Sequence, residues 1–206
     1  MRLMRLIVPV LFAALPALAQ VKTFKVDANH TVLGFKASTL LFDVPGRFDR
    51  FKADIQGDPA TLEGVSIRLE VDARSVNTAN RMRDDHLRNP DFFDVSRFPK
   101  ITFQSSQARR EGDRILVKGT LTMHGISREL EIPFVAAEGR NGADMPTWSY
   151  RASLPLDRLA FSIGADSVAA KISLKKDVEL NLMLVGFFEE SAPQPLVSQG
   201  RSKRKM

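Results

Sequence analysis

Leu62 to Asp72 reads as the clearest strand of the chain, and from Val65 on apolar and polar residues alternate, Val65, Ile67, Leu69 and Val71 to one side and Ser66, Arg68 and Glu70 to the other. A period of two fixes an extended strand with one dry face and one wet face. The same pattern recurs along most of the chain. Leu33, Phe35 and Ala37 share a face in Thr31 to Ala37, which reads as a hairpin with Thr23 to Asp27 across Ala28-Asn29-His30. Phe51, Ala53 and Ile55 alternate in Arg47 to Gln56, where Phe48 falls out of phase and predicts a bend. Ile101 and Phe103 point inward from Lys100 to Ser106. Ile115, Val117, Gly119 and Leu121 alternate up to a turn at His124-Gly125, and Leu130, Ile132 and Phe134 follow it. Trp148, Tyr150, Ala152 and Leu154, then Val178, Leu180, Leu182 and Leu184, mark the last two strands.

About eight or nine strands with short connections make an antiparallel meander, and a sheet of that length closes or splits. The fold expected is all-β, a closed barrel of about eight strands around a small lumen. One long interruption stands out, Asn80 to Ser105. Charged residues at helical spacing open it, Asn89-Pro90 reads as a cap followed by a first-turn proline, and the aromatics Phe92, Phe93 and Phe98 follow. Aromatics in a connection need something to cover, so this short helical insertion is expected to close one end of the barrel. Ser38 to Pro45 is a loop with apolar residues of its own, Leu40, Leu41 and Phe42.

Arg2 and Arg5, the apolar run Leu6 to Leu15 and Ala17-Leu18-Ala19 have the order of a cleaved signal peptide, residues 1–19, with cleavage after Ala19. The apolar run is too short and too broken by Pro9 and Pro16 for a stable membrane anchor. There is no cysteine, which removes disulfides, thiol catalysis and a lipidated cysteine and points to a free product in the periplasm. The net charge of +6 sits largely in the leader and in Arg201, Lys203, Arg204 and Lys205. The folded part is nearly neutral, and nucleic acid is not an expected partner. Residues 189–206 read as a disordered basic tail.

Taken together and in order, several motifs resemble the YceI-like family: Val26-Asp27 with His30-Thr31 and Phe35; Gly46-Arg47-Phe48; Arg83-Asp84-Asp85-His86-Leu87 followed by Phe92-Phe93-Asp94; Phe98-Pro99 with Ile101-Thr102-Phe103; the run Gly119 to Gly125; and Arg158 to Gly164 with Asp177-Val178. The resemblance covers Val21 to Phe187. It implies a lipocalin-like antiparallel barrel, secreted to the periplasm, whose elongated lumen holds a polyisoprenoid chain or another long amphiphile with its polar head near the mouth. Two stretches depart from it: Ser38 to Val44 is apolar where family members often carry a polar or histidine-containing segment, and the residues beyond Phe188 have no counterpart.

On this reading residues 20–188 form one lipid-binding domain. Its expected partner is a long-chain isoprenoid, such as an isoprenoid quinone or polyprenyl phosphate, or a fatty-acyl-type lipid. The ligand-binding residues expected are Leu33, Phe35, Phe48, Ile67, Leu69, Phe103, Leu121, Phe134, Trp148, Tyr150, Leu180 and Leu182 along the lumen, Phe92 and Phe93 in the closing segment, and Arg83 and His86 as a basic rim for a phosphate or other polar head. A barrel filled by its own side chains would use the same lumen residues, and a solvated helix face the same rim. No cofactor is expected. His30, His86 and His124 are too scattered for a metal site. Ser105, Ser106 and Ser162 lie in no nucleophile elbow, so no catalytic residue is expected. The rivals are a stress-response interaction protein with a packed barrel, and a weak hydrolase or metal or haem binder. An incompletely closed barrel would leave strand edges near Lys22 or Val185 to pair in a homodimer.

Overall fold

A computed structural model describes residues 21–190; the expected leader, its cleavage site and the tail from residue 191 on lie outside the described residues. Eleven strands run through the chain: β1 Lys22–Val26, β2 Val32–Thr39, β3 Asp43–Phe48, β4 Phe51–Gly57, β5 Ser66–Asp72, β6 Val76–Asn77, β7 Lys100–Glu111, β8 Arg114–Met123, β9 Ile126–Arg140, β10 Pro146–Asp157 and β11 Leu174–Glu190. They build eight antiparallel walls of a closed barrel. β1 and β2 lie one after the other along the same side of β11, and β3 and β4 make the next wall in the same way.

β11 is the long member of the set, 17 residues. Its outer half pairs with β1, Lys22 opposite Glu190, and its inner half with β2, Leu180 opposite Phe35. The expected hairpin of β1 with β2 is therefore corrected. Alternation sets which face of a strand is dry but does not name its partner, and both strands find theirs in β11. The barrel closes where Lys22 meets Glu190 on one side and Gly57 on the other. The edge expected near Lys22 or Val185 is thus paired: Lys22 on both sides, and Val185 with Ser149 and, through its carbonyl, with the Asp27 amide. Glu189 and Glu190, expected in the tail, continue β11.

The turns follow their sequence signals. Met123 faces Ile126 across His124 and Gly125, whose φ angles of 52° and 72° give the primed two-residue turn that matches strand twist. Glu111 faces Arg114 across Gly112-Asp113. Other boundaries shift. Leu62 to Val65 belong to the β4–β5 connection, with Leu62 at φ 63°. Ala73 to Ala79 does not leave the sheet at once, because β6 returns two residues to β3 after a 3₁₀ turn at Ala73–Ser75. The insertion holds one short helix, α1 Arg81–Leu87, whose Asn80 cap accepts from the Arg83 amide. Asn89-Pro90 starts a chain of turns in place of a helix, since the Asn89 carbonyl takes the Phe92 and Asp94 amides. A second insertion between β10 and β11, the 3₁₀ turn Arg158–Phe161 and helix α2 Val168–Ser173, was not expected from sequence.

The first insertion packs Phe92, Phe93 and Val95 into the core, and Phe161 and Ile163 from the second join it. Both lie at the end of the barrel where Asp72 meets Lys100 and His124 turns. This is the plugged end; the β4–β5 and β7–β8 connections mark the outer end.

A dry lumen as the candidate binding site

Two cavities occupy the barrel. The inner one, nearer the plug, has a cavity volume of about 120 Å³ and is lined by apolar residues throughout, among them Leu33, Phe35, Phe48, Leu69, Phe103, Leu121, Leu180 and Leu182. The outer one has about 70 Å³ and is lined by Phe24, Leu62, Val65, Ile115, Val117, Tyr150 and Phe188 with others. Ile55, Ile67, Phe134 and Leu184 line both, so the cavities follow one another along a single lumen.

The space exists because some rings lie against the wall. A Cβ on Gly119 would stand 2.5 Å from both the Phe103 ring and the Gln104 carbonyl oxygen, so the glycine on β8 admits the phenyl group beside it and the close approach of β7 at once. Phe35 rests over Gly46 in the same manner.

The polar side chains lining the lumen, Gln56, Asp58 and Tyr150, all belong to the outer cavity. Asp58 caps its own loop, accepting from the Ala60 amide at 2.7 Å and the Thr61 amide at 3.2 Å, and these bonds hold its carboxyl below the usual range. Tyr150 makes edge contact with Phe24 at 5.5 Å and stacks on Trp148 at 6.5 Å. Burial pushes its phenol up to about 12, against a smaller downward pull from the Arg110 charge. Arg110 donates to the Pro59 carbonyl at 3.5 Å, which sets a cation beside the outer rim.

Of the expected residues, Leu33, Phe35, Phe48, Leu69, Phe103, Leu121, Leu180 and Leu182 line the inner cavity, Tyr150 the outer one, and Ile67 and Phe134 both. Five lie elsewhere. Phe93 is buried in the plug, with its ring 5.5 Å from Phe48, and Phe92 lies beside it under His86 at 5.0 Å. Trp148 stands behind Tyr150 and meets Phe188 edge-on at 6.0 Å. Arg83 bonds Thr78 through Nε to Oγ1 at 2.8 Å and through Nη2 to the carbonyl at 2.9 Å. His86 Nε2 pairs with Asp91 at 3.0 Å on an exposed surface. Arg83 and His86 therefore form no rim to the lumen: they brace the plug, together with Asp84, which is buried and accepts from the Thr78 amide and hydroxyl at 2.8 and 2.6 Å.

Phe24, Phe188 and Leu62 were missed. For Phe188 the signal was present, because it stays in phase with Leu180, Leu182 and Leu184 beyond Gly186. Leu62 reaches the cavity only through a left-handed turn that strand periodicity does not foresee.

The histidines do not converge: His30 pairs with Asp27 at 2.7 Å and His124 Nδ1 with the Phe161 carbonyl at 3.1 Å. Among the described residues no group of three histidines or carboxylates is placed to hold a metal. Ser105 accepts from the Ile67 amide at 2.8 Å, beside the β-bulge of β7, and Ser106 bonds the Lys118 carbonyl at 3.3 Å. Both hydroxyls serve the sheet.

The profile of the YceI-like domain matches residues 24–185. UPF0312 proteins of Vibrio cholerae are 32% identical over 123 residues, a match covering 58% of this chain and 65% of theirs; the alignment thus spans under two thirds of their length. Among solved structures, Burkholderia cenocepacia BcnA superposes with a TM-score of 0.71 at 27% identity, over 79% of this chain and 100% of that one. A polyisoprenoid binding domain from Saccharophagus degradans, implicated in plant cell wall breakdown, superposes with a TM-score of 0.59 at 18% identity, over 84% and 99%.

Proposed function

The chain belongs to the YceI-like domain family, and from that premise we propose that it is a non-catalytic periplasmic carrier that holds a polyisoprenoid, or a similar long-chain amphiphile, in the barrel lumen. The observation that carries this reading is the inner cavity, whose lining presents no polar side chain. A dry, elongated space rewards a hydrocarbon chain by about 0.8 kcal/mol for each buried CH2 and offers nothing to a polar solute. The fold shared with a polyisoprenoid binding domain supports the same cargo class.

The polar lining lies at the outer end, so the head of the amphiphile belongs beside Tyr150 and Arg110, and not beside Arg83 and His86. The phenol donates one hydrogen bond to an oxygen acceptor, a quinone carbonyl or a phosphate alike.

Native mass spectrometry of the protein recovered from periplasmic extract, followed by solvent extraction, tests this. A released species of isoprenoid or long acyl mass is expected, and Leu182→Trp, which fills the inner cavity, is expected to abolish its retention in a folded protein. An apo protein that also takes up no added polyprenyl compound would instead indicate a barrel with a structural role.

A further inference from the structure

At the plugged end several apolar side chains face solvent, Met82 of α1 and Leu159 of the 3₁₀ turn Arg158–Phe161 among them, and two neighbouring elements carry most of them. The β2–β3 hairpin tip carries Leu40, Leu41 and Phe42 at 74%, 90% and 59% exposure, and α2 carries Val168 and Ile172, one turn apart, at 70% and 72%. They are neighbours in space, because Thr39 at the base of the hairpin pairs with Leu174 at the end of α2. Ala170, on the opposite side of α2, is the residue that packs into the core.

The tip is built rather than frayed. The Thr39 hydroxyl accepts from the Leu41 and Phe42 amides at 3.2 and 3.0 Å and donates to the Phe42 carbonyl at 2.8 Å, while the Thr39 amide bonds that same carbonyl. Three of the tip's amides, those of Thr39, Leu41 and Phe42, and the Phe42 carbonyl are thus bonded from within, which lowers the cost of placing them in an apolar medium. Lysines stand around it. Lys36 and Lys176 are engaged by Glu179, Asp43, Asp157 and Asp177, whereas Lys171 and Lys175 are exposed and make no ion pair among the described residues, against one exposed carboxylate on the same segment, Asp166. Lys175 lies close enough to the hairpin to help Ser38 and Lys36 hold the Asp43 carboxyl below its usual range.

We propose that this end of the barrel docks on a bilayer containing anionic lipid, with Leu40, Leu41, Phe42, Val168 and Ile172 entering the interface and Lys171 and Lys175 meeting the headgroups. Two exposed lysines without an ion-pair partner among the described residues stand beside an apolar tip, and such a surface offers both the headgroup charge and the apolar interior that they fit. The described chain begins and ends at the opposite end, where Lys22 pairs with Glu190. Docking by the plug leaves the polar rim at Tyr150 facing away from the membrane. The surface does not depend on the cargo, so an empty barrel docks equally.

The absence of cysteine makes the test specific. An environment-sensitive fluorophore is placed on Leu41→Cys and, separately, on Asp113→Cys in the β7–β8 turn at the outer end. With vesicles of phosphatidylethanolamine and phosphatidylglycerol the probe at 41 is expected to shift to the blue and the probe at 113 to stay unchanged. Ile172→Cys repeats the reading on an independent element if the hairpin variant fails to fold. Leu41→Ser with Phe42→Ser is expected to weaken binding at least about tenfold. Lys171→Gln and Lys175→Gln each cost about fivefold, and the two together abolish the preference over phosphatidylcholine. No shift at 41 or 172, equal shifts at 41 and 113, or a shift at 41 that grows with protein concentration without vesicles would overturn the proposal, the last by naming a second copy as the occupant.

Discussion

Tyr150 is the only tyrosine of the chain and Trp148 the only tryptophan, and the two stack beside the outer cavity. The phenol is held protonated by burial, and its hydrogen is shared with no acceptor among the described residues. An absorbance titration therefore reads this one group, and tyrosinate is expected near pH 12 rather than near 10. The sign for stability follows. Above the pH at which the unfolded chain releases this proton the folded one still keeps it, so the contribution is complete below about pH 10 and is lost as the pH rises toward about 12. Tyrosinate appearing near pH 10 in a protein that is still folded would show the ring to be wet.

Between β10 and β11 a single buried side chain organises an element. Arg158, 5% exposed, donates to the carbonyls of Lys175, Ile163, Ala170 and Leu174 at 2.9, 2.7, 3.3 and 3.1 Å. It gathers the 3₁₀ turn, α2 and the start of β11 around one guanidinium; burial lowers its pKa, while the Asp157 charge opposes this more weakly. Arg158→Met would leave those carbonyls without a donor and is expected to cost roughly 3–5 kcal/mol, read from the urea midpoint at unchanged slope. Arg158→Lys would recover only part of it, since one ammonium cannot fork to four acceptors. An unchanged midpoint in the methionine variant would mean that α2 docks without the arginine. The element escapes sequence reading for a physical reason: six residues make fewer than two turns, too few for an apolar period, and what holds them is a charge at a distance.

Across the whole barrel, ion pairs cross one seam after another: Lys25 to Glu189 between β1 and β11, Lys36 to Glu179 between β2 and β11, Lys100 to Glu70 between β5 and β7, and Lys118 to Glu129 between β8 and β9. Each is exposed and individually weak. The carboxyls of Asp49, beside Arg47, and Glu179, beside Lys36, are held below their usual range. Their contribution is present above the unfolded carboxylate values and disappears as the pH falls through the folded ones. The melting temperature is expected to be level from pH 7 to about 5 and to fall below about 4; a decline already complete at pH 5 would point to another group.

At this scale the sequence was legible wherever a strand faces water on one side, as in β5, β8 and β10, because alternation there records the inside of the barrel residue by residue. It was silent on pairing, so that β1 was assigned to β2 when both lie on β11. It was also silent on which charges are engaged, because Arg83 and His86 read as an open basic rim until Thr78 and Asp91 are seen to bond them.

The phenylalanine lying over Gly46 has an evolutionary consequence. A methyl group at that position would meet the Phe35 ring first and turn it into the lumen, narrowing the bore. Two chains with identical linings would then differ in girth, so the gauge of the barrel is inherited through residues that no inventory of contacts would include.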